Sequence, residues 1–188
     1  MRVVLTGFMG TGKTAVGQRV AQRLGRPFAD TDALVEAMAG KPVRRIFAED
    51  GEARFREFER DAVERACALG DAVVSTGGGA LVDDRNFETL SRDALLVCLV
   101  ADARTIARRV RGSAADRPLL GGGTSLVARI RELLEERAPV YARVSLRIPT
   151  DGRSVEQVAD EVVAALEHSM RADAGTERSA ARPAEGAR

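Results

Sequence analysis

The stretch that decides the fold is VVLTGFMGTGKTAVG, residues 3–17. Its first three residues are apolar and predict a buried strand. The strand leads into GFMGTGKT, residues 7–14, which has the spacing of a phosphate-binding loop: Gly, four residues, then Gly-Lys-Thr. The next apolar residues recur at helical spacing: Val16, Val20 and Leu24. The stretch therefore predicts a strand, a phosphate-binding loop and a helix, in that order.

The phosphate-binding loop (residues 7–14) indicates a nucleoside triphosphate as ligand. Its glycines let backbone N–H groups turn towards phosphate oxygens, and the start of the helix adds a favourable potential. Lys13 can reach the outer phosphates, and the Thr14 hydroxyl can bind Mg²⁺. We predict that the nucleotide contacts six consecutive residues: Gly10, Thr11, Gly12, Lys13, Thr14 and Ala15.

Beyond this stretch, short apolar runs alternate with longer helical patterns, which predicts an α/β fold with a mainly parallel sheet. The later runs are AVVS from Ala72, ALLVCLV from Ala94 and SLRI from Ser145. ALLVCLV is apolar throughout, as expected of a central strand covered on both faces, whereas SLRI alternates like an edge strand. Ser154 and Gln157 have the spacing of a capping box and predict the start of the last helix.

The composition of the 188-residue chain narrows its class. A net charge of +1 gives no reason to propose nucleic acid as a partner, and no run of about eighteen apolar residues predicts a membrane span. With no export signal, we predict a cytoplasmic protein. Cys67 and Cys98 lie among apolar neighbours and are expected to be buried, reduced thiols. His168 is the only histidine, near the end of the last helical pattern, which excludes a histidine-based nucleophile.

Three classes of phosphate-binding-loop protein remain: a GTPase-type switch, a mechanical or regulatory ATPase, and a small-molecule kinase. The Asn-Lys-x-Asp string that would read guanine is missing, and a motor usually needs a longer chain. Asp102 follows an apolar strand, as a magnesium-binding acid would. It also stands directly before a helical pattern, and we favour the interpretation of Asp102 as a helix N-cap.

The segment FADTD, residues 28–32, places two carboxylates one residue apart after a short apolar run. In an extended chain alternate side chains point the same way, so Asp30 and Asp32 would share one face. Mg²⁺ bound to the nucleotide would relieve their mutual repulsion. We predict that Asp30 serves the magnesium ion and that Asp32 faces an acceptor hydroxyl and is catalytic.

Two arginines and a glycine run suggest the acceptor's chemistry. The three glycines in TGGGA, residues 76–80, would let a ligand touch backbone directly. Arg56 and Arg137 each have an ordinary interpretation as surface ion-pairing residues. Together with the bare backbone, however, two guanidinium groups would suit a small acceptor with a carboxylate, which arginine binds in bidentate fashion.

Residues 112–123, GSAADRPLLGGG, form a glycine-bounded connector. Near a phosphate site such a segment predicts a mobile lid, with Arg117 at its centre. The ordinary interpretation of the segment is a solvated connector.

As a set, these residues resemble the shikimate kinase family. The resemblance covers about residues 1–168 and rests on six segments in the family's order: GFMGTGKTAVG, FADTD, IFAEDGEARFREFE, STGGGA, RPLL and ERAPVYARV. It implies a three-layer α/β/α fold like that of nucleoside monophosphate kinases, with a five-stranded parallel sheet of order 2-3-1-4-5 and a mobile lid. It also implies transfer of the γ-phosphate of MgATP to the 3-hydroxyl of shikimate, in aromatic amino acid biosynthesis, by a monomer.

The resemblance also implies residue roles. Asp32, Arg56, Gly78, Gly79 and Arg137 would bind shikimate, with Asp32 assisting deprotonation. Glu59 would orient Arg56, and Thr14 and Asp30 would serve Mg²⁺. Lys13 would hold phosphates and be catalytic. Arg117 would arrive with the lid, contact the nucleotide and be catalytic by stabilising charge on the transferred group. Three arginines remain open as the adenine contact: Arg109, Arg111 and Arg153. We assign Arg153 to nucleotide binding.

Two alternatives stay open beside this reading: a gluconate-type sugar-acid kinase and a non-catalytic nucleotide-binding module of the same fold. Residues 169–188 lose apolar periodicity and are predicted to be a disordered tail after a domain of residues 1–168.

Overall fold

The computed structural model describes residues 1–111 and 125–180, with backbone alone for 173–180. The predicted lid at 112–123, including Arg117, and residues 181–188 lie outside the described residues. Within the described ranges the chain alternates strands and helices, as the sequence predicts. The elements, in chain order, are β1 (Arg2–Thr6), α1 (Lys13–Leu24), β2 (Phe28–Asp30), α2 (Thr31–Ala39), α3 (Val43–Glu49), α4 (Gly51–Cys67), β3 (Val73–Ser75), a 3₁₀ turn (Ala80–Val82), α5 (Asp84–Ser91), β4 (Ala94–Val100), α6 (Ala103–Val110), α7 (Leu126–Tyr141), β5 (Leu146–Pro149) and α8 (Val155–Ala180).

The sheet has the order β2-β3-β1-β4-β5, and each neighbouring pair is parallel. The predicted order and direction are therefore confirmed. The strand beginning at Ala94 is central, between β1 and β5, and β5 lies at an edge. In a parallel sheet the carboxyl ends of the strands lie at one side, so the segments after β1, β2 and β3 meet there.

Two apolar clusters cover the sheet, one on each face. On one face, buried residues of α1 and α8 pack against inward residues of β1, β3 and β4. On the other face, α4, α5, α6 and α7 pack against the alternate residues of the same strands. Alternation of side chains along a strand produces this division, and the result is the predicted three-layer α/β/α arrangement.

The helices α2, α3 and α4 hold a smaller cluster of their own around Val35, Ile46, Phe55 and Ala62. Gly40 ends α2 in the left-handed conformation, with a φ of 66°, and Pro42 precedes α3, as the predicted break near residues 40–42 requires. This cluster fixes α4 against α2. It thereby positions Arg56 on α4 relative to Asp32 on α2.

The last helix begins with the predicted capping box. The backbone N–H of Ser154 donates to the Gln157 side chain over 2.9 Å, and the N–H of Gln157 donates to the Ser154 hydroxyl over 3.2 Å. The helix continues through Ala180, beyond residue 169 where we expected disorder to begin. Alanine, arginine and glutamate are good helix formers, so a helix persists here without an apolar stripe.

Cys67 and Cys98 are free thiols; Cys98 is buried and Cys67 is partly buried. His168 is exposed. Within residues 1–111 and 125–180, no helix has the length and apolar content that crossing a bilayer would take.

Candidate active site

A cavity of about 320 Å³ opens at the carboxyl ends of β1, β2 and β3. The phosphate-binding loop forms one wall, and the segments after β2 and β3 form the others. The lining residues are Met9, Gly10, Gly12, Lys13, Thr14, Ala15, Asp30, Asp32, Thr76 and Gly78. Five of the six loop residues predicted to contact the nucleotide therefore line one cavity together with both aspartates.

Hydrogen bonds within the phosphate-binding loop stabilise its conformation at the cavity. Thr11, the sixth predicted residue, is buried, and its hydroxyl donates to the Phe8 carbonyl over 2.8 Å. The Lys13 ammonium donates to the same carbonyl over 3.0 Å. Gly12 has a φ of 97°, in the left-handed region that glycine adopts without strain, and it starts α1 at Lys13. The N-terminus of α1, with Thr14 and Ala15, consequently faces the cavity.

Thr14 and Asp30 meet on the cavity wall. The Thr14 hydroxyl donates to Asp30 Oδ2 over 2.8 Å. The other carboxylate oxygen, Oδ1, accepts from the backbone N–H of Asp32 over 3.0 Å and so caps α2. Two oxygen donors side by side fit Mg²⁺, which takes a few protein ligands and completes its shell with phosphate and water. The described residues contain no cluster of three or more His, Cys, Asp or Glu that could hold a metal alone.

The two aspartates line the same cavity, but the backbone conformation between them differs from the one we predicted. We assumed an extended chain through FADTD, and that assumption is wrong: β2 ends at Asp30 and α2 begins at Thr31. Asp30 caps the helix and Asp32 lies in its first turn. Both nevertheless line the cavity, because a cap and a first-turn residue lie at the same end of a helix.

Asp32 lies in an environment that disfavours its charge. Although Asp32 is open to the cavity, desolvation by the surrounding protein and the Asp30 and Glu59 carboxylates together raise its pKa to about 6, against the opposing effect of the Lys13 ammonium. A methyl group at Gly77 would lie 2.6 Å from Asp32 Oδ1 and 3.3 Å from Glu59 Oε1, so the first glycine of the run leaves room for these two acids. A carboxylate with a pKa near 6 is a suitable general base at neutral pH.

Arg56 and Arg137 converge on the glycine run, so the structure brings these predicted acceptor residues close together. A methyl group at Gly79 would lie 3.3 Å from Arg56 Nη1 and 3.7 Å from Arg137 Nη2. A methyl group at Gly78 would lie 3.5 Å from Arg137 Nη1. We call Arg56, Gly78, Gly79 and Arg137 the acceptor cup. Two guanidinium groups beside bare backbone form a site suited to a carboxylate.

The buried carboxylate of Glu59 forms an ion pair with Arg56. This carboxylate accepts from Arg56 Nη1 over 2.7 Å, and Glu59 is only 1% exposed. Burial raises the pKa of Glu59, and Arg56 partly counters this effect. The ordinary interpretation of this pair as a surface ion pair is therefore wrong. Glu52 accepts from Arg56 Nη2 over 2.9 Å, so the guanidinium is held from two sides.

Arg137 is supported by two residues that the sequence analysis did not single out. Its guanidinium lies over the Phe8 ring, 5.5 Å from the centroid, and its Nη1 donates to the Gly78 carbonyl over 2.8 Å. The Tyr141 hydroxyl donates to the same carbonyl over 2.7 Å. Residues four apart share a helix face, so the spacing of Arg137 and Tyr141 could have predicted that the tyrosine approaches the site.

The other arginines proposed for the nucleotide are not among the residues that line the cavity. Arg109 donates to the Gly10 carbonyl over 3.3 Å and to the Thr150 carbonyl over 2.7 Å, which places it against the phosphate-binding loop. Arg153 donates to the Pro149 carbonyl and pairs with Glu161, 2.6 Å away. Arg111 is exposed at the end of α6. The assignment of Arg153 to the nucleotide stays a prediction, and the adenine contact stays open among the three arginines.

Asp102 is a helix N-cap, as we favoured. Its side chain accepts from the backbone N–H of Thr105 over 2.6 Å. Asp102 is not among the residues that line the cavity, so its interpretation as a magnesium ligand has no support in the fold.

Comparison with known proteins gives one consistent family. The shikimate kinase family model matches residues 9–167. A shikimate kinase of Symbiobacterium thermophilum is 45% identical over 168 residues, covering 89% of this chain and 97% of that protein. A solved structure of shikimate kinase from Acinetobacter baumannii in complex with shikimate superposes with a TM-score of 0.83 at 30% identity, covering 89% of this chain and 93% of that one.

A gluconokinase structure from Sinorhizobium meliloti is more distant, with a TM-score of 0.58 and 19% identity over 89% of this chain and 91% of that one, and this likeness shows a common fold alone. The gluconate alternative is therefore not favoured. The nucleotide loop, the acceptor cup and the extent of these matches agree: the chain belongs to the shikimate kinase family and is an ATP-dependent kinase.

Proposed function

We propose that this protein transfers the γ-phosphate of ATP, bound as its magnesium complex, to the 3-hydroxyl of shikimate, giving 3-phosphoshikimate and ADP for aromatic amino acid biosynthesis. The observation that carries the proposal is the convergence of Arg56 and Arg137 on Gly79, directly after Gly78, which lines the cavity together with Asp32 and Lys13. Shikimate carries both groups that this arrangement matches, a carboxylate and ring hydroxyls.

The acceptor cup would fix the ring by its carboxylate. Arg56 and Arg137 offer planar pairs of N–H donors, and Gly78 and Gly79 let the ligand approach the backbone. Glu59 orients Arg56, whose guanidinium is partly buried. Fixing the acid at one end places a ring hydroxyl at the other, which converts phosphoryl transfer into a reaction between held partners.

Asp32 would act as the general base. With a pKa of about 6, its carboxylate is largely ionised at pH 7.5 and can accept the hydroxyl proton as the oxygen attacks phosphorus. Lys13 would hold the outer phosphates once its ammonium turns from the Phe8 carbonyl. We retain Arg117, which lies outside the described residues, as the proposed lid residue that stabilises the transferred group.

Thr14 and Asp30 would hold the magnesium ion, Thr14 directly and Asp30 through water. The ion, when bound, neutralises charge on the phosphates. The support for this assignment is the 2.8 Å contact between the two oxygens on the cavity wall. Replacing Asp30 with Asn should raise the Mg²⁺ concentration required for half-maximal rate.

We further propose that the protein acts as a monomer in the cytoplasm. The free thiols Cys67 and Cys98 suit a reducing compartment, where ATP, the proposed phosphoryl donor, is abundant. Light scattering coupled to size-exclusion chromatography would test the monomer, which predicts a mass near 20.1 kDa.

The proposed reaction is tested by a coupled assay of ADP release with MgATP and shikimate or gluconate. We expect rapid release with shikimate and only background release with gluconate or without an acceptor. Comparable rates with gluconate would favour the sugar-acid kinase. No release with either acid would favour a non-catalytic module.

A further inference from the structure

One backbone oxygen in the acceptor cup receives two side-chain hydrogen bonds from the same helix. The Gly78 carbonyl accepts from Arg137 Nη1 over 2.8 Å and from the Tyr141 hydroxyl over 2.7 Å. Both donors lie on α7, four residues apart and therefore on one face. Neither residue lines the cavity itself, but Arg137 also approaches Gly79, beside Arg56.

The surroundings of Tyr141 keep its hydroxyl protonated and fixed in direction. The residue is 6% exposed, and its ring packs in the apolar cluster between the sheet and α7. Burial raises the pKa of its phenol to about 12, so the hydroxyl keeps its proton at any pH at which the protein works. A buried ring has little rotational freedom, and the direction of its hydroxyl is set by the core rather than by solvent.

The backbone that Tyr141 contacts has no side chains of its own to restrict it, although the Gly77 N–H donates to the Thr31 hydroxyl and the Gly79 carbonyl accepts from the Val82 N–H. Residues 77–79 are all glycine, and glycine restricts its own dihedral angles less than any other residue. The Gly78 carbonyl and the Gly79 N–H belong to one planar peptide group, so fixing the carbonyl fixes the N–H as well. Gly79 is the residue on which Arg56 and Arg137 converge.

We propose that Tyr141 is a positioning residue for the acid acceptor, whose hydroxyl holds the Gly78 carbonyl and so keeps Arg137 and the Gly78–Gly79 peptide in their carboxylate-binding arrangement. This role rests on the proposed function. A bound carboxylate competes with the Gly78 carbonyl for Arg137, and Tyr141 is then the donor that keeps the peptide from rotating.

The direct test compares Tyr141→Phe with the wild-type enzyme in steady-state kinetics. The variant retains the ring and removes one hydrogen bond, worth about 1 kcal/mol. We expect the KM for shikimate to rise about fivefold, while the KM for ATP and kcat change by less than about twofold. Ser91→Ala is the matched control, because it removes a side-chain hydroxyl that donates to the Phe87 carbonyl on α5. It should leave all three constants unchanged.

A second measurement asks whether the loss concerns the carboxylate. Binding of shikimate and of its neutral carboxamide is measured by calorimetry for the wild type and for Tyr141→Phe. Loss of the Tyr141 hydroxyl should weaken the binding of shikimate about fivefold and the binding of the carboxamide by less than about twofold. The reason is that only the carboxylate can form a charged, bidentate contact with Arg137. Thermal unfolding of both proteins, followed in parallel, shows whether the variant is folded.

Each outcome decides the role of Tyr141. A selective loss of shikimate affinity in a folded variant supports it. Equal loss for both ligands, an equal rise of the two KM values, or no change would overturn it while leaving the proposed function intact. If the wild type itself neither binds nor phosphorylates shikimate, the proposed function fails, and the role of Tyr141 fails with it.

Discussion

Asp32 joins catalysis and stability in a single side chain. It lines the cavity, and burial raises its pKa to about 6. As the general base it should accept a proton from the acceptor hydroxyl, so Asp32→Asn should lower kcat by about 100-fold or more. ATP binding, followed by titration with a fluorescent nucleotide, should be nearly unchanged. Near-normal turnover by this variant would contradict the assignment.

The same pKa predicts a pH dependence of activity. The base is effective only when ionised, so kcat/KM for shikimate should fall as the pH is lowered through about 6. A rate profile between about pH 5 and pH 8, at saturating ATP, would show this acid limb. A profile that stays flat down to pH 5 would mean that Asp32 does not titrate in the free enzyme as its surroundings require.

Asp32 should also reduce the stability of the fold at neutral pH. Its folded pKa is raised from 3.8, so the folded state favours the protonated acid, and the corresponding stability is lost as the pH rises through about 6. Because Asp32 is exposed to the cavity, solvent screens part of this effect; Asp32→Asn should therefore raise the free energy of unfolding modestly at pH 8 and by less at pH 5.

Denaturant titrations at the two pH values would measure this difference. Glu64→Gln, which removes an exposed carboxylate from α4, is the matched control and should change neither value. A variant that is no more stable than the wild type at pH 8 would contradict the raised pKa of Asp32.

At the scale of elements, α4 distinguishes two arginines two residues apart. Arg56 is held by buried Glu59 and reaches the acceptor cup, whereas Arg54 pairs with Glu57 on the exposed side of the helix. Arg56→Lys loses the planar pair of donors, so the KM for shikimate should rise about 10- to 100-fold with an unchanged KM for ATP. Arg54→Lys should change neither constant. Equal effects of the two substitutions would contradict the assignment of Arg56 to the acceptor cup.

The start of α6 provides a test of the Asp102 assignment. A cap that accepts from the Thr105 N–H stabilises the start of a helix, so Asp102→Ala should lower the free energy of unfolding. The dependence of the rate on Mg²⁺ concentration should not change. A large increase in the Mg²⁺ requirement would restore the interpretation of Asp102 as a metal ligand.

Elements that follow from local patterns were predictable from the sequence. The phosphate-binding loop, the buried strand at Ala94 and the capping box at Ser154 depend on spacing over a few residues, and the structure confirms them. The conformation at Asp30 was not predictable in this way, because a cap and an extended chain suit the same short segment. Contacts between distant elements, such as that of Tyr141 with Gly78, depend on packing that a local pattern does not contain.

At the scale of the whole molecule, the core defines how much of α8 the fold requires. Leu166 is the last residue of that helix in the buried clusters of the described part of the chain. We expect a protein ended at residue 168 to fold and to retain kcat within about twofold, because its core and cavity are complete. Thermal unfolding and the coupled assay would measure both. An unfolded or inactive product would contradict the proposed domain of residues 1–168.

The central claim joins the two halves of the cavity: an acid held by the acceptor cup presents its hydroxyl to Asp32 beside the phosphate-binding loop. A crystal structure with shikimate and a non-hydrolysable ATP analogue tests it most directly. We predict that the shikimate carboxylate contacts Arg56 and Arg137, with the 3-hydroxyl oxygen about 3 Å from the Asp32 carboxylate. A ring bound away from these three residues would contradict the account.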